Sequence, residues 1–196
     1  MNEIIGLLAG YLAGGISTGL VVSKIFGEEG LRSKGSGNIG ATNVARVVGK
    51  KAGIFTLVGD MVKPLIAILL VSLLTTDITV LAITGTAAVV GHIFPIYYRF
   101  QGGKGVATAL GFFLYLTPIV AGISILVFAA SLFITRYVSL GSVLGTLAAP
   151  ISLYLLHYDS SLFFASLLIF ALIAYKHIGN MSRIMKGTEG KFGEKS

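Results

Sequence analysis

The 196-residue sequence contains no cysteine, and only 12% of its residues are charged. The lack of cysteine excludes disulfides, thiolate metal sites and a thioester acyl-enzyme. The low charge, together with 55% apolar residues and a mean hydropathy of +0.89, excludes a soluble domain of this size. Lipid is therefore the expected solvent for most of the chain. The length suits a single domain comprising residues 1–196.

Long apolar runs with few charges predict membrane-spanning helices, each of which needs roughly 20 residues. The run 106–134 is too long for one span, and Pro118 followed by Gly122 divides it into two shorter helices. We expect an all-α integral membrane protein, a compact bundle of about seven transmembrane helices; a re-entrant short pair would give five or six. The first run lacks a preceding basic region, which favours a retained span over a cleaved signal peptide. The apolar runs are residues 4–25, 52–74, 78–97, 106–134, 138–156 and 162–174.

The lysines and arginines collect in the segments that an outside N-terminus would place in the cytoplasm. The predicted outer loops carry Asp77 and Asp159 but no cation. This asymmetry predicts a multi-pass protein of the bacterial inner membrane, with its C-terminus and its polar loops at the cytoplasmic face. Lys24 sits at the border of the first run, and Lys63 alone lies inside a predicted span, three residues after Asp60 and close enough on a helix to pair with it. The net charge of +7 suits lipid headgroups, so no nucleic-acid partner is expected.

The first polar segment, GSGNIGATNVAR at 35–46, alternates glycine with small polar residues and ends in an arginine. Backbone amides at glycines can approach a ligand closely and form a cradle for an anion. Hydroxyl, amide and guanidinium groups can bind a polyol or a phosphate. The alternative is a flexible loop with an arginine anchored at the interface. The candidate binding residues are Gly35, Ser36, Gly37, Asn38, Thr42, Asn43 and Arg46.

The second polar segment contains GGKG at 102–105 and opens a predicted helix. A glycine turn at a helix N-terminus, beside a lysine, combines amides, dipole and charge in a phosphate site. The GxxxxGK[ST] spacing is absent, which excludes an ATPase of that class. The alternative is a turn whose lysine only marks the cytoplasmic side. The candidate residues are Gly102, Gly103, Lys104, Gly105 and Thr108.

The third polar segment, 176–195, places His177, Asn180 and Arg183 at i, i+3 and i+6, on one face of a predicted helix. Interfacial anchoring is the alternative for the histidine. Glu189 follows in the tail and is expected to be structural, pairing with the surrounding cations, because an acid beside a phosphate would repel it. Ser142, at the start of the preceding span, is a further candidate for substrate binding.

The two remaining histidines receive no chemical role. His92, just before the Phe94-Pro95 break, is expected to be structural, and His157 lies on the predicted outer face. No histidine in the chain is followed by an aspartate five positions on. The His-x4-Asp pair of acyltransferases that use acyl-CoA or acyl-carrier protein is therefore missing.

Taken together, the three segments resemble the bacterial acyl-phosphate-dependent glycerol-3-phosphate acyltransferases, the PlsY family of integral membrane enzymes. The resemblance covers essentially the whole chain, and the segments occur in the expected order. It implies transfer of a fatty acyl group from acyl phosphate to the 1-hydroxyl of glycerol 3-phosphate, the first step of phospholipid synthesis. It also implies that residues 102–105 bind acyl phosphate. The functional residues carried over from the other two segments are Ser36, Arg46, His177, Asn180 and Glu189.

This chemistry needs no enzyme nucleophile, because an acyl phosphate is already an activated mixed anhydride. Lys104 is expected to stabilise charge on the departing phosphate. Either His177 or a substrate phosphate accepts the hydroxyl proton, and we favour the substrate. We expect no cofactor and no metal, and a monomer in contact with membrane lipid. The alternative function is a transporter for a phosphorylated metabolite, which would need polar groups across the membrane and access from both faces.

Overall fold

A computed structural model describes residues 1–193 and shows an all-helical chain. Lys195, the last cation of the third polar segment, lies outside the described residues. Within residues 1–193 there are nine α-helices and two short 3₁₀ turns, Leu31–Ser33 and Ile96–Tyr98. The α-helices are α1 (Asn2–Gly15), α2 (Thr18–Ile25), α3 (Ala41–Val47), α4 (Lys50–Ser72), α5 (Ile78–Ile93), α6 (Val106–Leu116), α7 (Pro118–Thr135), α8 (Val138–Leu155) and α9 (Ser160–Met185).

Six stretches in the described part of the chain are long and apolar enough to cross a membrane. They confirm the predicted apolar runs, with ends that differ by a few residues for most of them. The last one differs more, because α9 continues as one helix of 26 residues through the third polar segment to Met185. The six stretches are Asn2–Ile25, Lys50–Ser72, Ile78–Tyr98, Pro118–Thr135, Val138–Leu155 and Ser160–Met185.

The seventh predicted span corresponds to α6, which has only 11 residues. At about 1.5 Å per residue, such a helix covers roughly half of a hydrocarbon layer about 30 Å thick. The predicted division of the long run is confirmed, since α6 ends at Leu116 and α7 begins at Pro118. Proline suits the first position of a helix because its missing N–H has no partner there in any case.

The first span, predicted as one continuous run, is broken between α1 and α2. Ile16 has an extended backbone (φ −65°, ψ 118°), and the hydroxyl of Ser17 accepts a hydrogen bond of 3.4 Å from the amide of Leu20 to cap α2. Lys63 donates to the carbonyl of Ile16 over 3.1 Å. The break therefore presents a backbone acceptor to Lys63, which lies well inside α4.

The chain divides into two compact units, Met1–Tyr115 and a second that begins at Leu116. In the first unit, α1 packs closely on α5 through glycines. A Cβ at Gly10 or Gly14 would collide with the carbonyls of Thr84 or Ala88. In the second unit, α8 packs on α7 in the same way: a Cβ at Gly145 would lie 2.8 Å from the carbonyl oxygen of Ser124. Small residues at such crossings let helix backbones approach each other.

Candidate active site

In the first polar segment, Asn43 is buried and its amide shapes the loop around it. Its Oδ1 accepts a hydrogen bond of 2.8 Å from the backbone N–H of Ser36, and its Nδ2 donates to the Lys34 carbonyl over 3.1 Å. Asn38 Oδ1 accepts from the N–H of Gly40 over 2.8 Å, just before α3 begins. Both amides, predicted as substrate ligands, thus bond to the loop's own backbone. Their contact with a substrate stays a prediction.

The same loop presents its other polar groups outward. Gly35 and Gly37 have left-handed backbone conformations, with φ of 58° and 70°, which curl the chain tightly over Asn43. The side chains of Ser36, Thr42 and Arg46 are exposed. Because Thr42 and Arg46 are four residues apart on α3, they lie on one face of that helix. This face offers a hydroxyl and a guanidinium suited to an anionic ligand.

The second polar segment packs its glycines onto the end of α5. The N–H of Gly102 donates to the carbonyl of Ile93 over 3.2 Å, and that of Gly103 donates to the carbonyl of His92 over 3.1 Å. The glycine pattern predicts that both amides bind a phosphate, whereas in the structure both donate to carbonyls of the protein. A Cβ at Gly103 would collide with the imidazole ring of His92, so this glycine is required for close packing.

The part of this segment nearest to α6 retains the features of an anion site. Lys104 is half-buried and stands two residues before α6 begins. Gly105 has a φ of 88°, which directs the chain into the helix. The hydroxyl of Thr108, in the first turn, is fully buried and makes no hydrogen bond to the described protein. A cation and a helix N-terminus together favour a negative charge here.

A hydrogen bond links the chain just before the first polar segment to the residue just before the glycine turn of the second. The Nη2 of Arg32 donates to the backbone carbonyl of Gln101 over 2.6 Å. This role of Arg32 could not be read from the sequence, in which Arg32 resembles any other cation of a predicted cytoplasmic loop. The only available signal was its position three residues before Gly35.

In the second unit, α9 carries the predicted face of the third segment. His177 and Asn180 are buried, with 2% and 8% of their surfaces exposed. His177 Nδ1 lies 2.8 Å from the carbonyl oxygen of Ile173. Because a carbonyl can only accept, we assign the ring proton to Nδ1, which makes Nε2 the basic nitrogen of the ring. Such a histidine is suited to accept a proton.

Glu189 gathers three donors around its carboxylate. Asn180 Nδ2 and Ser139 Oγ donate to Oε1 over 2.6 and 2.8 Å, and Arg183 Nε donates to Oε2 over 2.7 Å. Burial alone would raise the pKa of Glu189, but these hydrogen bonds and the positive charge of Arg183 together lower it. The carboxylate therefore connects α8, α9 and the tail. Ser142, a predicted ligand, donates to the carbonyl of Val138 over 2.8 Å within its own helix.

The tail folds back on the turn between α7 and α8. The N–H of Phe192 donates to the carbonyl of Arg136 over 2.7 Å, and the guanidinium of Arg136 donates to the carbonyl of Phe192 over 3.0 Å. Lys191 Nζ lies 5.9 Å from the centre of the Tyr137 ring. Within residues 1–193, no group of three or more His, Asp or Glu side chains is arranged to hold a metal ion.

Comparison with known proteins agrees with these features. Residues 4–187 match the sequence model of the family described as glycerol-3-phosphate acyltransferase. The glycerol-3-phosphate acyltransferase of Syntrophotalea carbinolica is 44% identical over 188 residues, which cover 95% of each chain. A crystal structure of PlsY, described as an integral membrane glycerol 3-phosphate acyltransferase in its glycerol 3-phosphate form, has a TM-score of 0.92 and 41% identity, covering 98% of this chain and 96% of that one. The lysophosphatidic acid form has a TM-score of 0.91 and 40% identity, with the same coverage.

The fold and these relatives define an integral membrane acyltransferase. The chain belongs to the glycerol-3-phosphate acyltransferase family, which confirms the resemblance drawn from its three polar segments.

Proposed function

We propose that the chain transfers a fatty acyl group from acyl phosphate to the 1-hydroxyl of glycerol 3-phosphate. The products are 1-acyl-glycerol 3-phosphate and phosphate. The family match supports the acceptor and the reaction class. The observation that carries the proposal is the hydrogen bond from Arg32 to Gln101, because it links the approach to the first polar segment with the residue before the glycine turn, within one unit. Two phosphate-bearing substrates need two such segments.

In this reaction the hydroxyl oxygen of glycerol 3-phosphate attacks the carbonyl carbon of the acyl phosphate. A new ester bond forms, the bond between that carbon and the phosphate oxygen breaks, and the electron pair leaves with the phosphate. Lys104, at the start of α6, stabilises the charge that develops on the leaving group. Ser36 and Arg46 bind the phosphate and hydroxyl groups of glycerol 3-phosphate and orient it.

The hydroxyl proton passes to a phosphate oxygen of a substrate in the mechanism we favour. Phosphate is a good acceptor near neutral pH, and the acyl donor requires no activated enzyme nucleophile. His177 is the competing acceptor, since donation from its Nδ1 to Ile173 makes Nε2 basic. Asn180 and Arg183 complete this face of α9, and Glu189 serves as its scaffold through the hydrogen bonds that hold it.

The polar segments act at the cytoplasmic face of the bacterial inner membrane, with the N-terminus outside and the protein working as one monomeric domain. The distribution of cations supports this orientation. It also requires the chain to cross the membrane between Lys104 and Pro118, where α6 lies. If α6 stayed on one side, Arg136 and the tail would face outward.

Single cysteines test this topology, because the natural chain has none. Thr76→Cys should react with an impermeant maleimide on intact cells, whereas Lys186→Cys should react only after permeabilisation. Both positions are exposed. Labelling of the second variant from outside would show that α6 does not cross.

The choice of donor tests the proposed function. Purified protein receives glycerol 3-phosphate with either palmitoyl phosphate or palmitoyl-CoA, the latter shown to contain no acyl phosphate. We expect product from the acyl phosphate only. Comparable turnover of the thioester would refute the donor assignment.

A further inference from the structure

Three ionisable side chains in the spans of the first unit contact one another. Lys63 Nζ lies 3.0 Å from Asp60 Oδ1 and 2.6 Å from His92 Nδ1. Asp60 Oδ1 and His92 Nδ1 are 3.5 Å apart. All three residues are buried. We refer to Asp60, Lys63 and His92 as the buried triad. Ionisable groups inside a membrane are costly to maintain and commonly mark functional positions.

The contacts of Lys63 fix the state of the histidine ring. Its ammonium has three N–H donors, and the acceptors within reach are Asp60, His92 and the carbonyl of Ile16, 3.1 Å away at the break between α1 and α2. With Lys63 as an ammonium, which only donates, we assign His92 Nδ1 as the acceptor and the ring proton to Nε2. The triad therefore holds the imidazole in one tautomer and one orientation.

His92 in turn supports the second polar segment in two ways. Its backbone carbonyl accepts the N–H of Gly103 over 3.1 Å. Its ring lies directly against the α-carbon of Gly103: a Cβ there would come within 2.9 Å of Cε1 and 3.2 Å of Cδ2. The three protein atoms nearest to that Cβ all belong to the His92 ring. The glycine turn before α6 therefore packs against His92, and through His92 against the rest of the buried triad.

We propose that the buried triad is a positioning device for the phosphate-binding turn. By fixing the ring of His92, Asp60 and Lys63 set the position of Gly103 and therefore of Lys104. The proposal rests on the role of Lys104 in the proposed function. A displacement of about 1 Å in a catalytic group can reduce the rate on the order of a hundredfold, which gives such a device a clear purpose. Stability alone does not explain it, because apolar replacements of buried ion pairs are often neutral or stabilising.

A variant series separates positioning from folding. Asp60→Asn/Lys63→Met removes both charges together and leaves no unpaired ion. We expect its thermal midpoint in detergent to stay near that of the natural protein, while kcat/KM falls on the order of a hundredfold. His92→Asn, whose amide oxygen can accept from Lys63, should retain more activity than His92→Ala. Thr84→Val is the matched control. Thr84 is buried on α5, the helix that carries His92, and its hydroxyl donates to the Val80 carbonyl, so kcat/KM should not change.

A second measurement decides the proposal even if the charge-neutral variant does not fold. Gly103→Ala should lose activity because its methyl group strikes the His92 ring, and Gly103→Ala/His92→Ala should recover part of that loss. The backbone of Gly103 is not left-handed, so alanine itself causes no strain there. Purely additive losses in this double-mutant cycle, or wild-type kcat/KM in a folded His92→Ala protein, would overturn the proposal. Wild-type turnover by Lys104→Ala would instead contradict the phosphate assignment, so the two failures are distinguishable.

Discussion

The guanidinium of Arg32 donates a 2.6 Å hydrogen bond to the backbone carbonyl of Gln101, and this contact links the approach to the first polar segment with the residue before the glycine turn of the second. Neither residue belongs to the segments' glycine pattern. We expect this contact to couple the geometries of the two segments, because a shift of Gln101 would move the start of the turn that carries Lys104.

Removal of this contact should lower kcat/KM while leaving the stability of the folded protein nearly unchanged. We expect Arg32→Ala to lower kcat/KM by about tenfold, the effect of losing one charge-assisted hydrogen bond of moderate strength. Arg32→Lys should lose less, since the ammonium can still donate. Steady-state kinetics with both substrates measures this, and Lys50→Ala, another exposed cation in the first unit, is the control. Equal kinetics for Arg32→Ala and the control would contradict the coupling of the two segments.

Lys104 is expected to act in the transition state. Loss of one donor to a developing negative charge commonly costs about a hundred- to a thousandfold in rate. Lys104→Ala should therefore show a fall of that order in kcat at saturating concentrations of both substrates. Lys51→Ala, which removes an exposed cation from α4, should retain full turnover. A Lys104→Ala enzyme with wild-type kcat would remove the basis for a phosphate site at the start of α6.

His177 provides the test of the proton acceptor. If a substrate phosphate takes the proton, His177→Ala should keep a substantial rate, and the pH profile should have the same shape as that of the natural enzyme. The measurement is kcat between pH 5 and 9 at saturating substrate, as histidine titrates in the lower part of this range at about 6.5. Near-complete loss of rate, with disappearance of the acidic limb of the profile, would assign the role of base to His177.

Glu189 should make stability depend on pH at the acidic end. Its pKa is lowered in the folded protein, so its contribution is fully present above the ordinary value of 4.5 and is lost as the pH falls through the lower folded value. Glu189→Gln should therefore lower the apparent unfolding temperature at pH 7, and the difference from the natural protein should shrink below about pH 4. Glu28→Gln, which breaks the exposed pair with Lys34, is the control. A pH-independent difference for Glu189→Gln would rule out this linkage.

The spans could be predicted from the sequence because bilayer thickness sets the length of an apolar run. The proline at 118 marked the boundary between α6 and α7 for a local steric reason. The break at Ile16 was not predictable, since its carbonyl accepts a hydrogen bond from Lys63, 47 residues away in the chain. The pairing of Lys63 with Asp60 was predictable because both lie on one turn of one helix.

In the candidate site, too, local features could be predicted from the sequence and contacts with distant parts of the chain could not. The residue types suited to phosphate could be read from the segments, and so could the shared helical face of His177 and Asn180. The sequence did not show that the amides of Gly102 and Gly103 bond to the end of α5. Nor did it show that Asn43 bonds to its own loop. These hydrogen bonds depend on where other parts of the backbone lie in the folded protein, and a local sequence pattern does not contain that information.

The most direct test of the account is the coupling of phosphate release to acyl transfer. Purified protein in detergent is given palmitoyl phosphate with and without glycerol 3-phosphate, and phosphate and 1-acyl-glycerol 3-phosphate are both quantified. We predict that the two products form in equal amounts and only when glycerol 3-phosphate is present. Release of phosphate at the same rate without glycerol 3-phosphate, or no acylated product with it, would contradict direct transfer from acyl phosphate.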